Sequence, residues 1–127
     1  MTETTPANLT ILLVEDDEDT RYLMCLELER RGYRVIEASD GEKAVTLAEQ
    51  ESPDIILMDL SLPKMDGLEA TRQIRAIDGM ATIPIIAVTA HQETDFREGA
   101  KASGFDAYVT KPMDFDWLND LMVGLLS

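Results

Sequence analysis

The sequence predicts an α/β domain: one parallel sheet of five strands, doubly wound, with helices on both faces. Three observations predict it. Short β-branched or aliphatic runs alternate with longer stretches of helical spacing, glycines fall at the joints, and 127 residues suit one domain with a single substantial core. Strand–helix alternation of this kind needs crossover connections, and their right-handedness leaves few topologies open.

Residues 1–8 are polar, contain Pro6 and read as a frayed lead-in, so the domain proper is expected over 9–127. Ile11–Val14 is the first strand. The acid run Glu15-Asp16-Asp17 follows, with Asp17 able to cap a helix over 19–31 that stops before Gly32. In that helix Leu23, Met24 and Leu28 are the expected core positions, Tyr22 and Leu26 point outward, and Cys25 is a small apolar residue. Arg34–Ala38 and 41–50 are the second strand and helix, with Gly41 at the joint. Ile55–Asp59 is the third strand, and the turn signal from Pro63 through Asp66-Gly67 leads into a helix over 66–77, with Gly79 beyond. Ile85–Thr89 precedes a helix over 93–102, which Gly99 interrupts at about 1 kcal/mol relative to Ala; Gly104 follows it. Tyr108–Thr110 is the last strand and 114–126 the last helix. There Phe115, Leu118, Met122 and Leu125 form one core stripe, while Trp117 and Leu121, four apart, lie off it.

Composition removes several classes of function. A net charge of −14 disfavours nucleic acid and anionic membrane surfaces as partners. No run reaches the roughly 18 apolar residues of a membrane span, and "MTETTPANLT" lacks the basic-then-apolar form of a signal peptide. A single cysteine cannot form an internal disulfide and fits a reducing cytoplasm.

Ligands of open α/β sheets bind outside the carboxyl ends of the strands. Those ends carry Glu15, Asp16 and Asp17, then Asp59, then Thr89, then Lys111-Pro112. Converging carboxylates repel one another unless a cation neutralises them, and hard oxygen donors suit Mg²⁺. A threonine and a lysine could hold an anion beside the metal, and Asp59 is chemically competent as a phosphoryl acceptor.

The segments "LLVEDDEDTR", "ILMDLSLPKMDG", "IIAVTA" and "YVTKP" together resemble the receiver domain of two-component response regulators over residues 9 to 126. The resemblance implies the flavodoxin-like strand order 2-1-3-4-5. It implies Asp59 as phosphoacceptor and a Mg²⁺ (or Mn²⁺) ion held by Asp16 directly, by Glu15 through water, by Asp59, and by the main-chain carbonyl of Ser61. Thr89 and Lys111 would bind phosphoryl oxygens, Pro112 would follow a cis bond, and Tyr108 holds the aromatic switch position. Ser61 and His91 occupy the two positions that tune self-dephosphorylation in the family. Glu15 replaces an Asp common there, and Met113 stands where Phe is frequent. Beside these roles stand plainer ones: Tyr108 as a half-buried aromatic, His91 as a solvated loop residue, and Trp117 folded over its own helix edge.

The expected function is therefore that of a single-domain response regulator. It takes a phosphoryl group from a histidine kinase or a histidine phosphotransfer protein, and it catalyses its own phosphorylation and hydrolysis without being a conventional enzyme. Signalling to a downstream protein, or homodimerisation, would use the helix over 93–102, the fifth strand and the last helix, where Trp117 and Leu121 form a candidate contact. Tyr22 and Leu26 form a second one, on the helix where the family docks its phosphodonor. A phosphate shuttle or sink, and a receiver excised from a hybrid kinase or larger regulator, remain open. A dehalogenase-type phosphatase would need a second acid at position 61, and a flavodoxin would need a phosphate loop where the three acids stand. The acid run also lacks the spacing of a calcium loop.

Overall fold

A computed structural model of the chain describes residues 9–60, 62, 65, 67–89, 104–111 and 113–126. The elements run β1 (Thr10–Val14), α1 (Glu18–Arg30), β2 (Arg34–Ala38), α2 (Gly41–Glu51), β3 (Ile55–Asp59), α3 (Gly67–Arg75), β4 (Ile85–Thr89), β5 (Ala107–Thr110) and α4 (Phe115–Leu126). The strands form one sheet in the order β2-β1-β3-β4-β5, every neighbouring pair parallel. This is the order expected of a flavodoxin-like sheet. The predicted lead-in and the predicted helix over 93–102, with its Gly99, lie outside the described residues.

Strand side chains alternate between two apolar layers, as a period of two dictates. Ile11, Leu13, Ile55, Leu57, Ile86 and Val88 pack with Met24, Cys25 and Leu28 of α1 and Leu118 and Met122 of α4. On the other face Leu12, Val14, Ile56, Met58 and Ile85 meet Ala44, Ala48, Ala70 and Ile74 of α2 and α3. All residues of the inner strands β1, β3 and β4 are buried, so they read as continuous apolar runs, while the edge strands β2 and β5 are only partly covered.

Three local expectations change. Leu23 is 60% exposed and Cys25 is buried: the inward stripe of α1 is Met24, Cys25 and Leu28. A step of one residue turns the helix by about 100°, which carries Leu23 off the stripe. Leu121, expected outside, packs partly against the α1–α4 core. Finally α3 ends at Arg75, not residue 77, as Ala76 and Ile77 donate to the carbonyls of Gln73 and Ile74, a tight three-residue closure. The Arg75 guanidinium then gathers the carbonyls of Met80, Ala81, Ile83 and Gly104 and the Asp106 carboxylate, tying the α3–β4 loop to the approach to β5.

Candidate functional site

The site is assembled at the carboxyl ends of β1, β3, β4 and β5. Glu15 directly follows β1, and its N–H continues the sheet by donating to the Ala38 carbonyl of β2 at 3.0 Å. Asp17 caps α1: its carboxylate accepts from the Thr20 N–H at 2.8 Å and the Thr20 hydroxyl at 2.6 Å. Asp17 returns its own N–H to Glu15 Oε2 at 3.1 Å. The local bonds of a helix cap thereby fix the acidic turn. Those same Thr20 bonds hold the Asp17 carboxyl below the usual aspartate range.

Asp59 is the last residue of β3, and α3 lies directly behind it. A Cβ on Gly67 would sit 2.3 Å from the Asp59 carbonyl oxygen, so only glycine permits this approach. Thr89 ends β4, and its carbonyl accepts the Lys111 N–H at 2.8 Å. From there the Lys111 ammonium reaches Glu15 Oε1 at 2.8 Å and Asp59 Oδ2 at 3.1 Å. Burial works against this ammonium, but its bonds to Glu15 and the charge of Asp59 outweigh that, holding its pKa above the ordinary lysine value.

Carboxylate oxygens of Glu15, Asp16 and Asp59 all lie within 4.8 Å of one another. Glu15 and Asp59 are 2% and 4% exposed and Thr89 1%, whereas Asp16 opens to solvent. Three carboxylates stand together, two of them bound by one ammonium, so hard oxygens outnumber the cation that faces them. Such a donor set fits a small divalent cation that keeps part of its hydration shell.

The sequence-predicted residues Glu15, Asp16, Asp59, Thr89 and Lys111 therefore lie together at one edge of the sheet. Ser61, His91 and Pro112 lie outside the described residues. Tyr108 is half-buried, packed against the small cluster of Leu60 and Ala87. Tyr22, Leu26 and Trp117 are exposed, as is Leu23 beside the first two. An open cleft of about 410 Å³, lined by Thr20, Leu23, Met24, Lys111, Met113 and Phe115, runs from α1 to the start of α4 beside the Lys111 side chain. One residue with no sequence signal joins the site. Arg21 donates from Nη1 to the Glu15 carbonyl at 3.0 Å.

Residues 11–122 match the family model for the response regulator receiver domain. The chain belongs to that family. Receiver domains are parts of two-component response regulators, and in general they interact with histidine kinases and downstream targets. Among relatives, Protein PilH of Pseudomonas aeruginosa is 40% identical over 109 residues, which cover 85% of this chain and 89% of PilH. Coverage differs elsewhere: the chain spans 43% of one transcriptional regulator it matches at 45% identity. Among solved structures, Vibrio cholerae chemotaxis protein CheY4 superposes with a TM-score of 0.89 at 27% identity, covering 94% of this chain and 100% of CheY4. The receiver domain of sensor histidine kinase PA1611 from P. aeruginosa, solved with magnesium coordinated in its active-site cleft, superposes at 0.84 with 38% identity, covering 93% of this chain and 99% of that one. No helix among the described residues is long and apolar enough to cross a membrane.

Proposed function

We propose that Asp59 of this receiver takes the phosphoryl group of a partner's phosphohistidine. The reading is carried by one observation: Glu15, Asp16, Asp59 and the Lys111 ammonium converge at the mouth of the sheet. Glu15, Asp16 and Asp59, with the main-chain carbonyl of Ser61, would hold Mg²⁺ or Mn²⁺. When bound, the ion offsets charge on the transferring group. An Asp59 carboxylate oxygen attacks phosphorus, the phosphorus–nitrogen bond breaks, and the imidazole leaves with the electron pair. Lys111 turns from the carboxylates to a phosphoryl oxygen, and the Thr89 hydroxyl donates to another. Positioning and electrostatics thus supply most of the catalysis. Water later cleaves the acyl phosphate, at a rate tuned by Ser61 and His91, which follow Asp59 and Thr89 by two residues in the sequence.

The inward pull on Thr89 frees space beside Tyr108, and β5 and α4 pass the change to a downstream protein or a second copy, a shift between two populated states. Leu23, which lines the cleft beside Lys111, and the exposed Tyr22 and Leu26 on the same helix suit the phosphodonor. This is self-modification and not turnover of a free substrate, in keeping with a cytoplasmic signalling module.

The test is incubation with acetyl phosphate. Intact-mass analysis should show one added phosphoryl on wild type with Mg²⁺, none with chelator, and none on Asp59→Asn. Equal labelling of the variant would refute the assignment.

A further inference from the structure

Resting on the metal reading above, we infer that Arg21 is a positioning residue for the cation held by Glu15, Asp16 and Asp59. Glu15 is engaged at every polar group. Its N–H donates to Ala38, its Oε1 accepts from Lys111, its Oε2 accepts from the Asp17 N–H, and its carbonyl accepts from Arg21. Asp16 differs: it is exposed, and its carboxylate makes no hydrogen bond among the described residues. The aim of Asp16 is set by the peptide that joins it to Glu15, and Arg21 holds the oxygen of that peptide.

Arg21 is itself fixed from three sides. Its N–H closes the first turn of α1 on the Asp17 carbonyl at 2.9 Å. Its Nε donates to Glu37 Oε1 of β2 at 3.2 Å while Nη1 holds Glu15 at 3.0 Å. The Arg21 side chain is 17% exposed, and its bond to the Glu15 carbonyl is part-buried, while Glu37 stands more open to water. Two donors in the rigid plane of one guanidinium span β2 and the acidic turn, a geometry that a lysine ammonium cannot reproduce.

The sign of the effect separates positioning from charge. A guanidinium beside a cation site repels the incoming metal, so as a charge alone its removal should tighten binding. As a positioning group its removal should weaken binding, in the way that outer partners of metal ligands do.

The test is calorimetric titration of the unphosphorylated protein with MgCl₂ at low and high KCl, comparing wild type, Arg21→Met and Arg21→Lys. Both variants should bind Mg²⁺ about tenfold more weakly, with a ratio to wild type that salt does not alter. The Mg²⁺ concentration for half-maximal labelling by acetyl phosphate should rise in parallel, while the labelling rate at saturating Mg²⁺ stays at the wild-type value. Unchanged or tighter binding by Arg21→Met, or wild-type affinity in Arg21→Lys, would overturn the inference. Arg21→Lys keeps the charge and the helix, and carries the test should Arg21→Met fail to fold. Absence of Mg²⁺ binding by wild type would instead overturn the metal reading, and this one with it.

Discussion

Replacing Lys111 by methionine removes the ammonium while keeping a side chain of similar reach. Without divalent metal, Glu15 and Asp59 then lie within 4.8 Å of each other, 2% and 4% exposed, with no ammonium between them. At about 3 Å and an effective dielectric near 20, each lost attraction is about 5 kcal/mol gross. The net loss is far smaller. Desolvation already offsets much of the attraction, and the ammonium keeps 28% of its side-chain exposure. Breaking a fully buried pair costs about 3–5 kcal/mol and an exposed one under about 1 kcal/mol. Lys111 stands between these cases, so Lys111→Met should unfold about 2 kcal/mol more easily in chelator. In excess MgCl₂ the metal supplies the missing charge and binding favours the folded state, so the gap should fall below about 1 kcal/mol. Urea unfolding of both proteins, with and without Mg²⁺, measures the two gaps, provided the slopes agree. Equal stability in chelator, or a gap that widens with Mg²⁺, would refute the idea that Lys111 holds these carboxylates together.

The Cys25 thiol is pushed up to about 11 by burial first and by the charges of Glu37 and Glu29 second. Native protein should therefore resist alkylation by iodoacetamide at pH 8, and unfolded protein should react. Because the unfolded thiol ionises first, this group favours unfolding as pH rises through the ordinary thiol range towards 11; a stability that climbs over that window would count against it. Trp117→Ala, at a site 52% exposed, should leave the melting temperature within about 2 °C of wild type while weakening output-partner binding or dimerisation. Leu121→Ser should lower the melting temperature, since Leu121 packs against the core.

Period and punctuation made most of the architecture readable before any coordinates. β2, β3 and β4 match the expected ranges, and β1 and β5 each begin one residue earlier, at Thr10 and Ala107. What failed was phase. An apolar residue on an acidic helix such as Leu23 is equally consistent with core or surface until the neighbouring sheet fixes the rotation. Leu121 failed for a related reason: at the edge of a stripe, burial depends on how closely the helix sits. At the site, strand ends alone brought Glu15, Asp16, Asp59, Thr89 and Lys111 together. Arg21 was illegible because it acts on a main-chain carbonyl, which every residue has, through a distance set by the turn of α1. The Lys111 bridge to both Glu15 and Asp59 was likewise hidden, since sequence reasoning assigned that ammonium to the phosphoryl group alone.

Gly67 carries a consequence for how such a protein can vary by descent. A carboxylate at the site can be exchanged for another carboxylate and still present the same donor atoms. Position 67 has no such synonym. Alanine, the smallest possible change, already places an atom 2.3 Å from the Asp59 oxygen and 2.9 Å from the Leu60 Cα, both belonging to backbone that cannot swing aside. Any drift there must shift the end of β3 or the start of α3, so a lesion in the aim of Asp59 can arise from a residue that possesses no functional group at all.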